Sequence, residues 1–261
     1  MDAITSLANP LLKDIRRSLT RGSLTSNGCM VAETFHLLDE ALRSDCAIER
    51  VIAAESAEAA VRSRLRGRGS IRVSIAPDAL FAKISSTETS QGVLALVHPR
   101  AWSRDDLFRY PALVAILDGV QDPGNAGTIV RAAEAFGATG VMFLRGAASP
   151  YNAKTLRASA GSLFRIPYGW GLAAETALAE LRGRGVEAYA AVVSGGKPPA
   201  EMDLARPCAL VIGSESRGVS PAFRPSACGL RIPTVAVESL NAAMAASILL
   251  YEASRQRRDA A

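Results

Sequence analysis

An apolar run over residues 112–117 leads directly into the turn formers Asp118-Gly119-Val120-Gln121-Asp122-Pro123-Gly124-Asn125-Ala126-Gly127. No other part of the chain constrains the fold as much. The run has the length and composition of a strand buried on both faces. Apolar periodicity then predicts a helix over 128–136, and the alternation repeats. Strands are expected at 113–117, 140–144, 187–193, 209–212 and 230–232, with helices at 153–159 and 173–184 between them. A final helix runs from Leu240 to about Arg257. Strands and helices alternating at this length predict an α/β fold with a mostly parallel sheet covered on both faces. Ligands of such sheets gather beyond the carboxyl ends of the strands. The loop after residue 117 therefore delivers the Asn125 amide and the Arg131 guanidinium to the end of the sheet where a polyanionic substrate could sit.

The first hundred residues read as a separate small α/β unit. A basic helix spans 10–19, and a short strand spans 29–31. An amphipathic helix over 33–42 turns Phe35, Leu38 and Leu42 inward. A strand at 50–53, a helix at 57–66 and a strand at 70–75 follow, Pro77 opens a helix at its permitted first turn, and 91–97 forms a last strand. The polar segment behind it contains two prolines. The expected organisation is a first domain over 1–98, a linker over 99–111 and a second domain over 112–261.

The chain has 261 residues, about half of them apolar, enough for a sizeable core. A formal net charge of +5 permits a nucleic-acid partner without requiring one. The only histidines are His36 and His98. Their absence after residue 98 argues against a Ser-His-Asp hydrolase or a histidine-based zinc site in the second half. Cys29, Cys46, Cys208 and Cys228 form no C-x-x-C pair, and none neighbours a histidine at metal-ligand spacing. They are expected to be small buried hydrophobes in a reducing cytosol, with no metal bound. The amino terminus lacks the apolar run of a signal peptide, and no stretch approaches the ~20 apolar residues of a membrane span. The expected location is the cytoplasm.

Nucleotide motifs fail on inspection. The loop Pro123-Gly124-Asn125-Ala126-Gly127 is not the dinucleotide fingerprint G-x-G-x-x-G. Gly213-Ser214-Glu215-Ser216-Arg217-Gly218-Val219-Ser220 has the glycine spacing of a phosphate-binding loop. It carries Val219 in place of the essential lysine, and Glu215 would repel phosphate. Singly, each polar loop reads as structural; Ser239 alone would be an ordinary helix N-cap. Together, Asn125 with Arg131, Gly213 with Glu215, and Glu238-Ser239-Leu240-Asn241 place three polar loops at strand ends of one domain.

These three segments, in order and with suitable spacing, resemble the signature motifs of the SpoU (TrmH-like) branch of the SPOUT RNA methyltransferases. The resemblance covers the chain from about Ala112 to the final helix. The segment 157–167 also looks family-like, and the first domain is similar to the family's RNA substrate-binding domain. Two departures stand out. Thr34 occupies the place where the family usually has glycine, and Ala242-Ala243 stand where Val-Ser is common.

The resemblance implies S-adenosylmethionine-dependent methylation of a ribose 2′-hydroxyl in RNA, ribosomal RNA before tRNA. It also implies a trefoil-knotted catalytic domain and a homodimer in which the cofactor pocket and Arg131 meet. Arg131 takes the central catalytic role, with Asn125, Glu215, Ser239 and Asn241 beside it. Backbone groups at Gly213, Ile232 and Leu240, with Ser239 and Asn241, hold the cofactor. A guanidinium is always protonated, so Arg131 serves better by binding a phosphate and stabilising a developing alkoxide than as a base. Arg16, Arg17, Arg21, Lys154 and Arg157 are the basic residues expected to touch RNA. The run Arg62, Arg64, Arg66 and Arg68 reads as a solvated helix end. An RNA-binding module without catalysis would be expected to lack Arg131, Asn125 or Glu215. An ordinary doubly wound small-molecule enzyme would lack the Ser239–Asn241 turn.

Overall fold

The computed structural model describes residues 2–259. In chain order the elements begin with β1 (Asp2–Ala3), α1 (Pro10–Arg21), β2 (Met30–Glu33), α2 (Phe35–Arg43) and β3 (Ile48–Ala54). Next come α3 (Glu58–Arg64), β4 (Arg72–Ala76), α4 (Asp78–Phe81), β5 (Val93–Val97) and α5 (Arg104–Leu107). They continue with β6 (Leu113–Asp118), α6 (Pro123–Ala135), β7 (Gly140–Leu144), α7 (Ala153–Ala158) and β8 (Tyr168–Leu172). The last are α8 (Ala174–Gly183), β9 (Glu187–Ala191), β10 (Cys208–Gly213), β11 (Cys228–Leu230) and α9 (Ala242–Asp259). Two compact units result. One takes the described residues up to Ala101 together with Tyr151–Arg165, and the other takes Trp102–Pro150 and the described residues from Ile166 onward.

The first unit is a mixed sheet in the order β1-β4-β3-β5-β2, with β5 antiparallel to both β2 and β3. Asn9 caps α1 by accepting the Leu11 N–H at 2.9 Å, with Pro10 at the helix's first position. The helix buries Leu12 and Ile15 in a core with Val31, Ile52, Phe81, Leu94 and Leu96. Full burial of each such side chain is worth about 1.5–3 kcal/mol. In α2 the fully buried positions are Leu37, Leu38 and Ala41, while Phe35 and Leu42 lie at the margin. α7 buries Ala153, Thr155 and Leu156 and packs on β2. Residues 151–165, expected within the second domain, therefore belong to the first unit.

The second unit is a parallel sheet in the order β11-β9-β10-β6-β7-β8. Every residue of β6 is buried, as strands covered on both faces require. Val114, Ile116, Met142 and Val211 face one core with Leu178 and Leu181 of α8. α6 and α9 pack against each other, α6 also against β6 and α9 against β10. The expected linker is partly helical. Ser103 and Asp106 form a reciprocal capping box on α5, and Leu107 is buried in the second unit's core. β8 was not anticipated, because Gly169 and Gly171 mask its strand character. A Cβ on Gly169 would come within 2.9 Å of the Arg104 guanidinium. Arg257, in the basic tail, donates to the carbonyls of Pro111, Ala112, Leu204 and Arg206. It thereby ties the carboxyl end of α9 to the chain just before β6 and β10. No helix among the described residues is long and apolar enough to cross a membrane.

One residue in the first unit sits in a conformation that L side chains avoid. Thr34 has φ 124° and ψ 152°, a region that costs a non-glycine residue about 1–3 kcal/mol. Its hydroxyl accepts the Leu37 N–H at 3.2 Å and caps α2. Thr34→Gly relieves the strain, at a cost of about 0.5–1 kcal/mol in chain entropy and a few tenths for the weaker cap. Urea unfolding should show Thr34→Gly more stable than the parent by about 1 kcal/mol. Thr34→Ala, which keeps the strain and loses the cap, should be less stable by about 1 kcal/mol. Equal loss in both variants would contradict the strain assignment.

Candidate active site

The site follows from the register of two neighbouring strands. β6 and β10 pair in parallel with Gly213 opposite Asp118, so the loops after both strands leave the sheet side by side. Asp118, nearly buried, accepts the Ser220 N–H at 2.6 Å and ties the second loop back to the first strand. The loop from Ser214 to Gly218 is tight: Ser214 and Gly218 exchange both backbone hydrogen bonds at 3.1 and 2.8 Å. It closes that tightly only because position 213 has no side chain. A Cβ there would lie 2.2 Å from the carbonyl carbon of Gly218. Arg224 pins the far side by donating to the carbonyls of Val219 and Arg217.

α6 begins at Pro123 rather than near residue 128. Asp122 caps it by accepting the Asn125 N–H at 2.8 Å, and Pro123 fills the first position. Asn125 is thus held on the first turn of a helix instead of on a free loop. The third segment is fixed by Asn241, whose Oδ1 accepts the N–H groups of Ala243 and Met244 at 2.9 and 3.3 Å. Asn241, not Ser239, therefore caps α9.

The three segments meet. Asn125 donates through Nδ2 to Glu215 Oε1 at 2.6 Å, and Asn241 donates through Nδ2 to the same oxygen at 3.2 Å and to Asn125 Oδ1 at 3.1 Å. A short charge-assisted contact of this kind is stronger than a neutral one. Glu215, Ser239 and Asn241 also line a cavity of about 880 Å³, together with Gly213, Ile232 and Leu240. All five residues expected to hold a cofactor therefore border one space. Ile232 does so from the loop beyond β11, which ends two residues earlier than expected. The charged lining residues are Glu215, Glu238, Arg217 and Arg224, so the cavity carries no excess of positive charge and does not resemble a phosphate cradle. Sequence reading missed the Val192–Ser194 wall after β9 and the Arg224 brace.

Arg131 is not part of this junction. It is exposed on α6, and among the described residues it makes no hydrogen bond or ion pair and does not line the cavity. The apolar residues of α9 divide between two faces. Leu249 and Leu250 are buried, while Met244, Ile248 and Tyr251 remain exposed in one stripe. The Tyr251 ring forms a T-shaped pair with Phe136 just beyond α6, at 5.6 Å between centroids. Of the basic residues expected to meet RNA, all five lie in the first unit. Arg16, Arg17, Arg21 and Lys154 are exposed, Arg17 being paired with Asp14. Arg157 is committed elsewhere: it donates to Ser86 at 2.9 Å and to the buried Glu33 carboxylate at 3.4 Å. Of the four cysteines expected to be buried, Cys29 and Cys208 are, Cys46 is half-buried and Cys228 is exposed. Burial, reinforced by Glu49, pushes Cys29 up to about 12, and burial also raises Cys208.

Residues 112–251 match the SpoU rRNA Methylase family, and residues 9–95 match the MRM3-like substrate binding domain. Over 253 residues the chain is 32% identical to the 23S rRNA (guanosine(2553)-2′-O)-methyltransferase RlmP of Bacillus subtilis, covering 96% of this chain and 98% of that one. It is 34% identical over 213 residues to the 23S rRNA (uridine(2479)-2′-O)-methyltransferase of Streptomyces viridochromogenes, covering 75% and 71%. Among solved structures, the AdoMet-bound rRNA methyltransferase from Sinorhizobium meliloti superposes with a TM-score of 0.82 at 30% identity, covering 97% of each chain. The SpoU methyltransferase AviRb from Streptomyces viridochromogenes in complex with AdoMet gives 0.84 at 27% identity, covering 96% of this chain and 98% of that one.

A methyl group at position 213 tests the loop directly. Gly213→Ala should destabilise the protein by about 1–3 kcal/mol, the usual cost of overpacking, because both groups it strikes are backbone. Glu215→Ala, at an exposed position, should leave the unfolding midpoint within about 0.5 kcal/mol of the parent. Thermal unfolding of the two variants checks the pair of outcomes.

Proposed function

Because the chain belongs to the SpoU rRNA methylase family, we propose that it transfers a methyl group from S-adenosylmethionine to a ribose 2′-hydroxyl of ribosomal RNA. The observation that carries this reading is the Asn125–Glu215–Asn241 junction, in which Glu215 and Asn241 also line the cavity. The residues present suit the cofactor. A volume of about 880 Å³ lies within the roughly 300–1,000 Å³ of small-molecule sites. The lining is balanced in charge, so no excess of cations opposes a sulfonium, and the absent Cβ at Gly213 lets the loop close tightly beside that space. Backbone groups of Gly213, Ile232 and Leu240, with Ser239 and Asn241, would hold it. When bound, S-adenosylmethionine supplies an electrophilic methyl group.

The chain's own work is to position the ribose and to make its hydroxyl a better nucleophile. Glu215, fixed by the Asn125 and Asn241 amides, orients the substrate at the rim. Arg131 binds the adjacent phosphate and stabilises the alkoxide as it develops. Arg131 does not line the cavity of its own chain, so we assign this role across a second copy. The exposed stripe of Met244, Ile248 and Tyr251 on α9, packed beside α6, is the surface on which that copy docks. Arg131 then reaches the cavity of the partner. The first unit takes up the RNA, with Arg16, Arg21 and Lys154 as its phosphate contacts. As an rRNA enzyme it works in the cytoplasm.

Single-turnover methyl transfer to rRNA tests this reading. Arg131→Ala should slow transfer by roughly 10²–10³ while S-adenosylmethionine affinity stays unchanged, since the contact forms only in the transition state. Arg131→Lys should rescue little, because an ammonium lacks the planar fork. Mixing Arg131→Ala with Glu215→Ala chains separates action within a protomer from action across the dimer. Across the dimer, random reassortment restores about a quarter of wild-type activity; within a protomer, it restores none.

A further inference from the structure

The first unit contains a second polar cluster, independent of the methyl-transfer reading. Three neighbouring strands of its sheet bring three residues of unlike chemistry to one end. Cys29 immediately precedes β2 and His98 immediately follows β5, and these strands pair antiparallel with Met30 opposite Val97. Glu49 belongs to β3, on the other side of β5. The β3–β5 register shifts between Ile48 and Arg50, so Glu49 is the extra residue of a bulge. Bulges re-aim a side chain in this way, often at functional positions. Here the bulge turns the Glu49 carboxylate onto the Cys29 and His98 side chains.

The distances have a specific meaning. Cys29 Sγ lies 3.3 Å from Glu49 Oε2 and 3.5 Å from His98 Nε2, and His98 Nε2 lies 3.3 Å from the same Glu49 oxygen. A tetrahedral zinc ion with bonds of about 2.3 Å to sulfur and about 2.0–2.1 Å to nitrogen and oxygen needs edges of about 3.5 Å for S···N and S···O and about 3.3 Å for N···O. The three atoms thus form one face of such a tetrahedron. The Sγ atom is also 3.7 Å from Nδ1, so a rotation of the half-exposed His98 ring presents either nitrogen to the ion. The surroundings are built. Asn27 donates to the other carboxylate oxygen of Glu49 at 3.3 Å, and Thr25 accepts the Cys29 N–H at 3.0 Å. Supporting contacts of this kind orient metal ligands.

We propose that Cys29, Glu49 and His98 form a binding site for one zinc-class divalent cation, with the fourth position open to water. A thiolate, an imidazole and a carboxylate together favour zinc or cobalt over magnesium or calcium. Sequence spacing hid the site, because 20 residues separate Cys29 from Glu49 and 69 separate it from His98. The bound ion would clamp the ends of β2, β3 and β5.

The test uses the full-length protein, stripped with chelator, reduced, and titrated with Co²⁺. One equivalent should bind per chain, with the thiolate-to-cobalt charge-transfer band and intense visible bands of a tetrahedral site, and Zn²⁺ should displace it. Cys29→Ser should abolish the charge-transfer band, and His98→Gln and Glu49→Gln should weaken binding at least about tenfold. Cys228→Ser removes the exposed thiol and should change nothing. If Cys29→Ser fails to fold, as judged by circular dichroism, His98→Gln decides, since its ring is half exposed. No charge-transfer band in the parent overturns the proposal. So does a band that persists in folded Cys29→Ser, unchanged affinity in His98→Gln, or a band lost only in Cys228→Ser.

Discussion

The pairing of β6 with β10 is the constraint on which the second unit depends. Both strands are buried along their lengths, and their register sets Asp118 beside Gly213. A slip of one residue would turn each strand's apolar set to the opposite face. It would also separate the two loops whose side chains meet at Glu215. Asp118 adds a hydrogen bond to the backbone of Ser220, and Gly213 allows the loop to fold back within contact distance of Gly218. The junction is therefore set by backbone geometry before any side chain joins it. Asn125 and Asn241 then converge on one carboxylate oxygen, and each also stands at a helix start that fixes its position.

Much of this was legible in the sequence. Continuous apolar runs gave away β6, β7 and β10; Asn125 and Glu215 stood out in the loops after β6 and β10, and Asn241 in the loop before α9. What was less legible has physical reasons. The start of α6 was read five residues late, because Gly124 and Gly127 look like turn residues, although Asp122-Pro123 is a good helix-start signal. β8 is diluted by two glycines. The capping box at Ser103 and Asp106 marked α5 within what read as a linker. The packing of α7 with the first unit has no local signal, since it depends on which sheet its buried face meets. Arg157 shows the same limit: its sequence neighbourhood is basic, and only the fold reveals that Glu33 claims it.

The first unit places a strained residue next to a buried carboxylate. Thr34 keeps a glycine-like backbone beside Glu33, a carboxylate almost fully buried. That carboxylate accepts from the backbone and hydroxyl of Ser86 and from the hydroxyls of Ser85 and Thr87, and Arg157 balances its charge. Removing one partner from such a network leaves an unsatisfied buried charge, which costs far more than the net worth of the bond. The network joins the end of β2 to the 85–87 segment and to α7.

The central claim is that this chain modifies a ribose, not a base, of ribosomal RNA. Nucleotide-resolution mapping of 2′-O-methyl groups in total RNA, from cells with and without the protein, tests it most directly. The account predicts that one ribose in ribosomal RNA loses its methyl group when the protein is absent. Wild-type protein should restore it, and an Arg131→Ala protein should not. A 2′-O-methyl map that is the same in both cells, or a change confined to methylated bases, would contradict it.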